Sequence, residues 1–184
     1  MPYPLVTPRL SIEPLALGDT DSFVGYRRDP EIARYQSWDT DYSVTQAAEL
    51  IESQHGVELP HSVGWLQLAI HDRMSGALLG DLGLHALHPS EGLYEIGFTL
   101  ASEHQGKGIA REAARRLLEF LFDEVGATTV NASCDTRNAS SIKLLEALGF
   151  RNIPEKGWSE MFKGESIVME FFEMTRPNWL RLPK

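Results

Sequence analysis

Residues 93 to 122 read LYEIGFTL, then ASEHQGKG, then IAREAARRLLEFLF. In the first block Tyr94, Ile96, Phe98 and Leu100 alternate with Glu95, Gly97 and Thr99, the period of a strand with one apolar face. In the third, Ala110, Ala113, Leu117 and Leu121 share one helical face, while Arg111, Glu112, Arg115 and Glu119 lie elsewhere. A strand therefore passes into a helix reaching to about Phe122 across two glycines that flank a lysine. This junction constrains the fold strongly. The strand needs partners, the helix needs a sheet face to cover, and the glycines permit left-handed backbone where one becomes the other.

The junction also has a chemistry. A helix start presents backbone N–H groups without intrahelical partners, at the positive end of the helix dipole. Glycines before it let the chain curl so that successive N–H groups converge, and Lys107 and Arg111 add positive charge. The arrangement suits a phosphate or diphosphate; the bland alternative is a turn before a surface helix. A dinucleotide fingerprint is excluded, because the third small residue it needs falls on Arg111. A P-loop is excluded because no Gly-Lys-Ser/Thr stands at the required spacing.

Around the junction the chain reads as α/β with a mainly antiparallel first half. RLSIEPL is a strand through Leu10 and Ile12. Asp19 is a candidate cap for a helix carrying Phe23, Val24 and Tyr26, with Pro30 limiting it. SVTQAAELIESQ is a second helix capped by Ser43. VGWLQLAIHD and GALLGDLGLHAL are strands joined by the turn signal DRMSG. After the junction come the strand TTVNASCDT, then a helix NASSIKLLEALGF. That helix has Asn138 as cap, Ile142, Leu145 and Leu148 inward, and Gly149 as terminator with Phe150 packing back on Leu145. SIVMEFFEMTR is a last strand. The predicted order is strand, two helices, three strands, helix, strand, helix, strand. Nothing divides residues 1–184, which are read as one domain.

Composition narrows function. A formal charge of −9 argues against general nucleic-acid binding. The single cysteine, Cys134, forbids an internal disulfide; with no signal-peptide layout in MPYPLVTPRL and no apolar run of membrane-spanning length, a cytoplasmic protein without membrane attachment is expected. His85, His88 and His104 have no metal-ligand spacing, so no metal is expected.

QGKGIA fits the Q/R-x-x-G-x-G/A signature through Gln105, Gly108 and Ala110, and with it the chain resembles the GNAT acetyltransferase superfamily. TPRLSIEPL followed by DPEIARY, then YEIGFTLASEHQGKGIAREA, then NASSIKLLEALGFR are similar, in that order, to the Rim-type N-acetyltransferases of ribosomal proteins. The resemblance spans most of residues 7 to 175. It implies the GNAT fold: a mixed, mainly antiparallel sheet with a splayed strand pair and helices on both faces. It also implies acetyl-coenzyme A as co-substrate. Carried over residue by residue, Ile96, Gly97, Phe98, Thr99 and Leu100 line pantetheine; Gln105, Gly106, Lys107, Gly108, Ile109 and Ala110, with Arg111 beside them, hold the diphosphate; Asn138 and Ser141 match the Asn-x-x-Ser segment beside the cofactor.

Acetyl transfer to an amine needs a neutral amine, stabilisation of the thioester oxygen and a proton for the leaving thiolate. Glu95, on the strand face opposite Tyr94 and Ile96, is the candidate base; its bland reading is a solvated charge. Ser141, third in a capped helix, is the candidate acid; its bland reading is helix-end hydrogen bonding. Cys134 reads as a buried inert thiol rather than an acetyl carrier. Trp38, Trp65 and Trp158 are candidate walls of an acceptor pocket, and Asp39 and Asp41 candidate contacts for a cationic acceptor. The expected reaction moves acetyl from acetyl-CoA to a primary amine, of a protein N-terminus or a small molecule, by direct attack. The competing class is a coenzyme A sensor or interaction module on the same fold. Exposed apolar residues near the last strand would support a homodimer.

Overall fold

The structure, a computed structural model, describes residues 3–57 and 62–183. Its strands are β1 (Leu5–Val6), β2 (Leu10–Pro14), β3 (Gly64–Asp72), β4 (Leu78–His88), β5 (Leu93–Leu100), β6 (Thr129–Asp135), β7 (Arg151–Asn152), β8 (Trp158–Phe162) and β9 (Glu165–Thr175). They form one sheet in the order β1-β2-β3-β4-β5-β6-β9-β7, with β8 paired to β9. The helices are α1 (Thr20–Arg27), α2 (Pro30–Ala33), α3 (Val44–Ser53), α4 (Ile109–Glu119), α5 (Ala139–Leu148) and α6 (Arg176–Trp179).

Alternation along the strands sends two sets of side chains to opposite faces. Leu66, Leu68, Leu82, Leu84, Tyr94, Ile96, Val130 and Phe172 go to one face, where Leu117, Leu118 and Leu121 of the α4 segment and Leu145 and Leu148 of α5 cover them. On the other face, Phe23, Val24 and Tyr26 of α1 and Ala47 and Ile51 of α3 pack with Ala69. Helices on both faces and the mainly antiparallel sheet agree with the sequence expectation. Full burial of each Leu or Phe contributes roughly 1.5–3 kcal/mol, so both layers are firmly attached.

The β5–β6 pair positions the site. It is the parallel pair of the sheet among the described strands, and its rungs are Leu93–Thr129, Tyr94–Val130 and Glu95–Asn131. From Ile96 and Ala132 onward the two strands are no longer paired with one another, although β5 stays paired to β4 as far as Leu100 and β6 to β9 as far as Asp135. The sheet therefore opens as a V whose apex is the Glu95–Asn131 rung.

Several local expectations are corrected. Pro30 does not merely limit α1: it is the first residue of α2, which Asp29 caps by accepting from the Glu31 N–H. Asp19 precedes α1 without capping it; its carboxylate instead accepts from the Ala16 N–H and binds His71 at 2.7 Å. The α-helical part of the junction helix ends at Glu119, and a π-helical stretch, Phe120–Val125, carries it to Gly126. The predicted strand order omitted β1, β7 and β8. Ser43 does cap α3, in a reciprocal box with Gln46. The α5 terminus is as expected: Gly149 has φ 91° and the Phe150 N–H bonds the Leu145 carbonyl at 3.0 Å.

Candidate functional site

The bend between β5 and α4 is held from inside. Gln105 donates through Nε2 to the Leu100 carbonyl at 3.1 Å, folding the chain back on the end of its own strand. Gly106 and Gly108 follow with φ of 71° and 75°, the left-handed region that glycine enters without steric cost. Gly108 is the N-cap residue of α4 and supplies no capping side chain, so the first N–H groups of the helix lack an intramolecular cap. A Cβ built on Gly106 would meet nothing within 4 Å, so what restricts this position to glycine is its left-handed φ and not crowding by the protein.

Beside the bend lies a groove of about 530 Å³. Gln105, Gly106, Gly108, Ile109, Ala110 and Arg111 line one end of it; Phe98, Thr99, Leu100, Asn138 and Ser141 line its length. A smaller adjoining cavity of about 110 Å³ enters the V between β5 and β6, bounded by Ile96, Gly97 and Phe98 on one strand and by Ala132, Ser133, Cys134 and Asp135 on the other. Phe98, Asn138 and Ser141 line both. The structure thus gathers nearly all the expected positions around two adjoining cavities that share lining residues. Lys107 belongs to the bend but does not line the groove.

Asn138 caps α5 by accepting the Ser141 N–H at 3.1 Å, which leaves its amide nitrogen for other partners. Ser141 sits within the first turn of α5, where the helix dipole is positive. Glu95 stands apart: it lines neither cavity. It occupies the apex rung, on the face that carries Gly97 and Thr99, and its carboxylate lies 3.3 Å from His85 Nδ1 on β4. Across the apex, the buried Asn131 Oδ1 has no hydrogen-bond partner among the described residues. A buried acceptor left unpaired costs about 1–3 kcal/mol, so its position at the closed end of the V is a reason to look for a donor there.

Cys134 borders the smaller cavity. Burial, with Glu170 and Asp135 nearby, pushes its thiol up to about 12, which disfavours the thiolate a covalent carrier needs. Of the three tryptophans, Trp38 covers the Arg27 guanidinium at 3.6 Å, Trp65 stacks on His85 at 4.4 Å and Trp158 is on β8; none lines either cavity. Asp39 is engaged by Lys163 Nζ at 3.0 Å, and Asp41 is exposed. His104 lies 3.9 Å from Glu103 and is outside both linings.

The individual residues of the outer wall were not singled out from the sequence. Glu31 and Ile32 of α2 and Tyr35 and Gln36 after it face the groove opposite the bend. They are fastened at two points. The Tyr35 hydroxyl donates to the Arg137 carbonyl at 3.3 Å, and Lys163, in the β8–β9 turn with φ 50°, donates to the carbonyls of Ala33 and Trp38. Arg137 itself holds Asp135 at 2.7 Å and Glu165 at 2.8 Å. Its hydrogen bond keeps the Asp135 carboxyl below the usual carboxylate range. The sequence signal for this wall was Asp-Pro-Glu, a cap followed by Pro at the first helical position.

A family model for the acetyltransferase (GNAT) domain matches residues 9–151. The chain belongs to the GNAT acetyltransferases. As such it is an enzyme of the acyltransferase class, in a family that uses acetyl-CoA. It is similar along most of its length to "Uncharacterized N-acetyltransferase p20" of Bacillus licheniformis, at 27% identity over 95% of this chain and 97% of that one. It also matches "Putative ribosomal N-acetyltransferase YdaF" of Bacillus subtilis, at 35% identity over 41% of each chain. Among solved structures, spermidine N-acetyltransferase from Vibrio cholerae in complex with CoA and spermine superposes with a TM-score of 0.80 at 20% identity, covering 95% of this chain and 100% of that one. Among the described residues no helix is long and apolar enough to cross a membrane.

Proposed function

We propose that this chain, with residues 1–184 acting as one domain, is an N-acetyltransferase that moves acetyl from acetyl-CoA to a primary amine, of a protein N-terminus or a small molecule, by direct attack in a ternary complex. The observation that carries this reading is a pair of adjoining cavities sharing Phe98, Asn138 and Ser141, one at the uncapped N-terminus of α4 and the other in the V between β5 and β6.

The residues present fit the co-substrate. The N–H groups of Gly106 to Ala110, aided by the charges of Lys107 and Arg111, receive the diphosphate. The facing edges of β5 and β6 beyond the apex, Ile96 to Leu100 on one side, offer backbone groups no longer used between the strands, which suit the amides of pantetheine. Bound there, the thioester supplies the acetyl group and a thiolate leaving group. The chain's own part is to position it, to exclude water and to manage protons.

Glu95 is the base. Because it sits at the apex rung and lines neither cavity, it takes the amine's proton through a water rather than by direct contact, and His85 holds its carboxylate. Ser141, at the positive end of α5, passes a proton through its hydroxyl to the departing sulfur, taking a replacement from solvent in the same step. The outer wall of Glu31, Tyr35 and Gln36 closes over the acceptor's side of the groove. Glu31 and Glu95 place negative charge where a cationic amine arrives. Turnover of acetyl-CoA against a panel of amines and ribosomal-protein N-terminal peptides, followed by thiol release, tests the proposal; coenzyme A binding without thiol release on any amine would replace it with a sensor.

A further inference from the structure

The Thr7-Pro8-Arg9 turn has no part in the function described so far, yet its side chains converge on the bend. Arg9 donates through Nε to Glu112 Oε2 at 2.7 Å, and its Nη2 lies 2.6 Å from the same oxygen. The other carboxylate oxygen, Oε1, accepts from the Thr7 hydroxyl and, at 3.3 Å, from the Arg9 N–H. Thus held, the guanidinium reaches past Glu112 and donates through Nη1 to the Lys107 carbonyl at 3.2 Å. The turn is itself anchored: the Leu10 N–H bonds the Thr7 hydroxyl at 2.9 Å, Arg73 Nη1 donates to the Thr7 carbonyl at 2.7 Å, and the Arg73 N–H donates to the Arg9 carbonyl at 2.9 Å.

The consequence follows from peptide geometry. In a trans peptide the C=O and the following N–H point in opposite directions. Pinning the Lys107 carbonyl toward Arg9 therefore turns the Gly108 N–H away from Arg9. Gly108, in the left-handed region with φ 75°, adjoins the 107–108 peptide, so local side-chain sterics alone do not fix its orientation. Glu112, in the first turn of α4, is the other half of the device. Burial raises its carboxyl's proton affinity, but the hydrogen bonds from Thr7 and Arg9 outweigh that and hold the carboxyl below its usual range, so it stays ionised and keeps Arg9 in place.

We infer that Arg9 is a positioning residue for the diphosphate cradle: braced by Glu112 and Thr7, it fixes the Lys107–Gly108 peptide so that the Gly108 N–H faces the groove before any ligand arrives. This rests on the reading of the bend as a diphosphate site. It assigns a task to the amino-terminal turn that neither its distance in sequence nor its exposure suggests.

The test is calorimetric binding of coenzyme A and of pantetheine, which lacks the diphosphate, to the wild type, Arg9→Ala, Arg9→Lys and Glu112→Ala. Arg9→Ala is expected to lower the preference for coenzyme A over pantetheine about tenfold, the worth of one charge-assisted hydrogen bond. Arg9→Lys is expected to lose as much, because an ammonium cannot fork between Glu112 and the Lys107 carbonyl. Glu112→Ala gives the sharpest reading. Removing an anion beside the cradle would strengthen diphosphate binding if charge alone mattered, whereas loss of the brace weakens it. An unchanged preference in Arg9→Ala, full affinity in Arg9→Lys or a gain in Glu112→Ala would each overturn the inference. A wild type that binds the two ligands equally would instead refute the diphosphate site itself.

Discussion

Glu95 and Asn131 are the last paired residues of β5 and β6, and the strands part immediately beyond them. A side chain at this rung is held by a complete sheet on one side and faces the open V on the other. Glu95 adds a lateral support, His85 Nδ1 at 3.3 Å, and Asn131 brings a buried carbonyl oxygen without a protein partner. The rung therefore combines a fixed carboxylate and an unspent acceptor at the closed end of the proposed acetyl site.

Glu95→Gln keeps the shape and removes the proton acceptor. Turnover is expected to fall by about 100-fold or more, with coenzyme A affinity unchanged. Turnover equal to the wild type's would remove Glu95 as base.

Gly108→Val tests the cradle sterically. Within the protein a Cβ at 108 meets only Arg9 Nη2, at 3.7 Å, so the protein itself has room for the side chain. The cost comes from φ 75°, roughly 1–3 kcal/mol for a non-glycine residue held there, and from collision with a bound phosphate. Coenzyme A binding should be abolished while the variant still folds with a lowered melting temperature. Wild-type affinity in calorimetry would contradict the cradle.

Lys163→Gln removes the ammonium that ties the β8–β9 turn to Ala33, Trp38 and Asp39. The wall of Tyr35 and Gln36 should loosen. The KM for the amine is expected to rise severalfold with little change in coenzyme A affinity; an equal loss for both substrates would mean that the wall does not belong to the acceptor side.

Asp81 is wholly buried, and desolvation raises its pKa although Arg27, Tyr26 and Gln67 oppose the shift. The native state then holds a proton that the unfolded chain releases above 3.8, so stability falls as pH rises from there through the native value. Asp81→Asn should flatten that part of a denaturant-midpoint against pH curve. A slope unchanged by the substitution would place its origin elsewhere.

Sequence pattern located what periodicity and special residues encode. The β5–bend–α4 unit was legible because its apolar positions switch from period 2 to a helical period across glycines, and α3 and α5 because Ser43 and Asn138 are true caps. Strand β8 was not legible: Trp158, Ser159, Glu160 and Met161 are all exposed, so no buried face imposes alternation. Pro30 misled because proline both ends one helix and starts the next. Asp19 misled because a tertiary partner, His71, took the carboxylate that a local reading assigned to a cap. The bend was visible in Gln-Gly-Lys-Gly, but the wall at Tyr35 and Gln36 and the brace at Arg9 depend on contacts across 102 and 98 residues of chain, which no local pattern carries.

The account rests on backbone N–H groups of the bend taking the diphosphate, and amide shifts in a ¹H–¹⁵N spectrum report on them one by one. Titration with coenzyme A should move the Gly106, Gly108, Ile109 and Ala110 amides most, and pantetheine should leave those four near their free positions while shifting Ile96 to Thr99. Coenzyme A that saturates the protein without moving the Gly106 and Gly108 amides would contradict it.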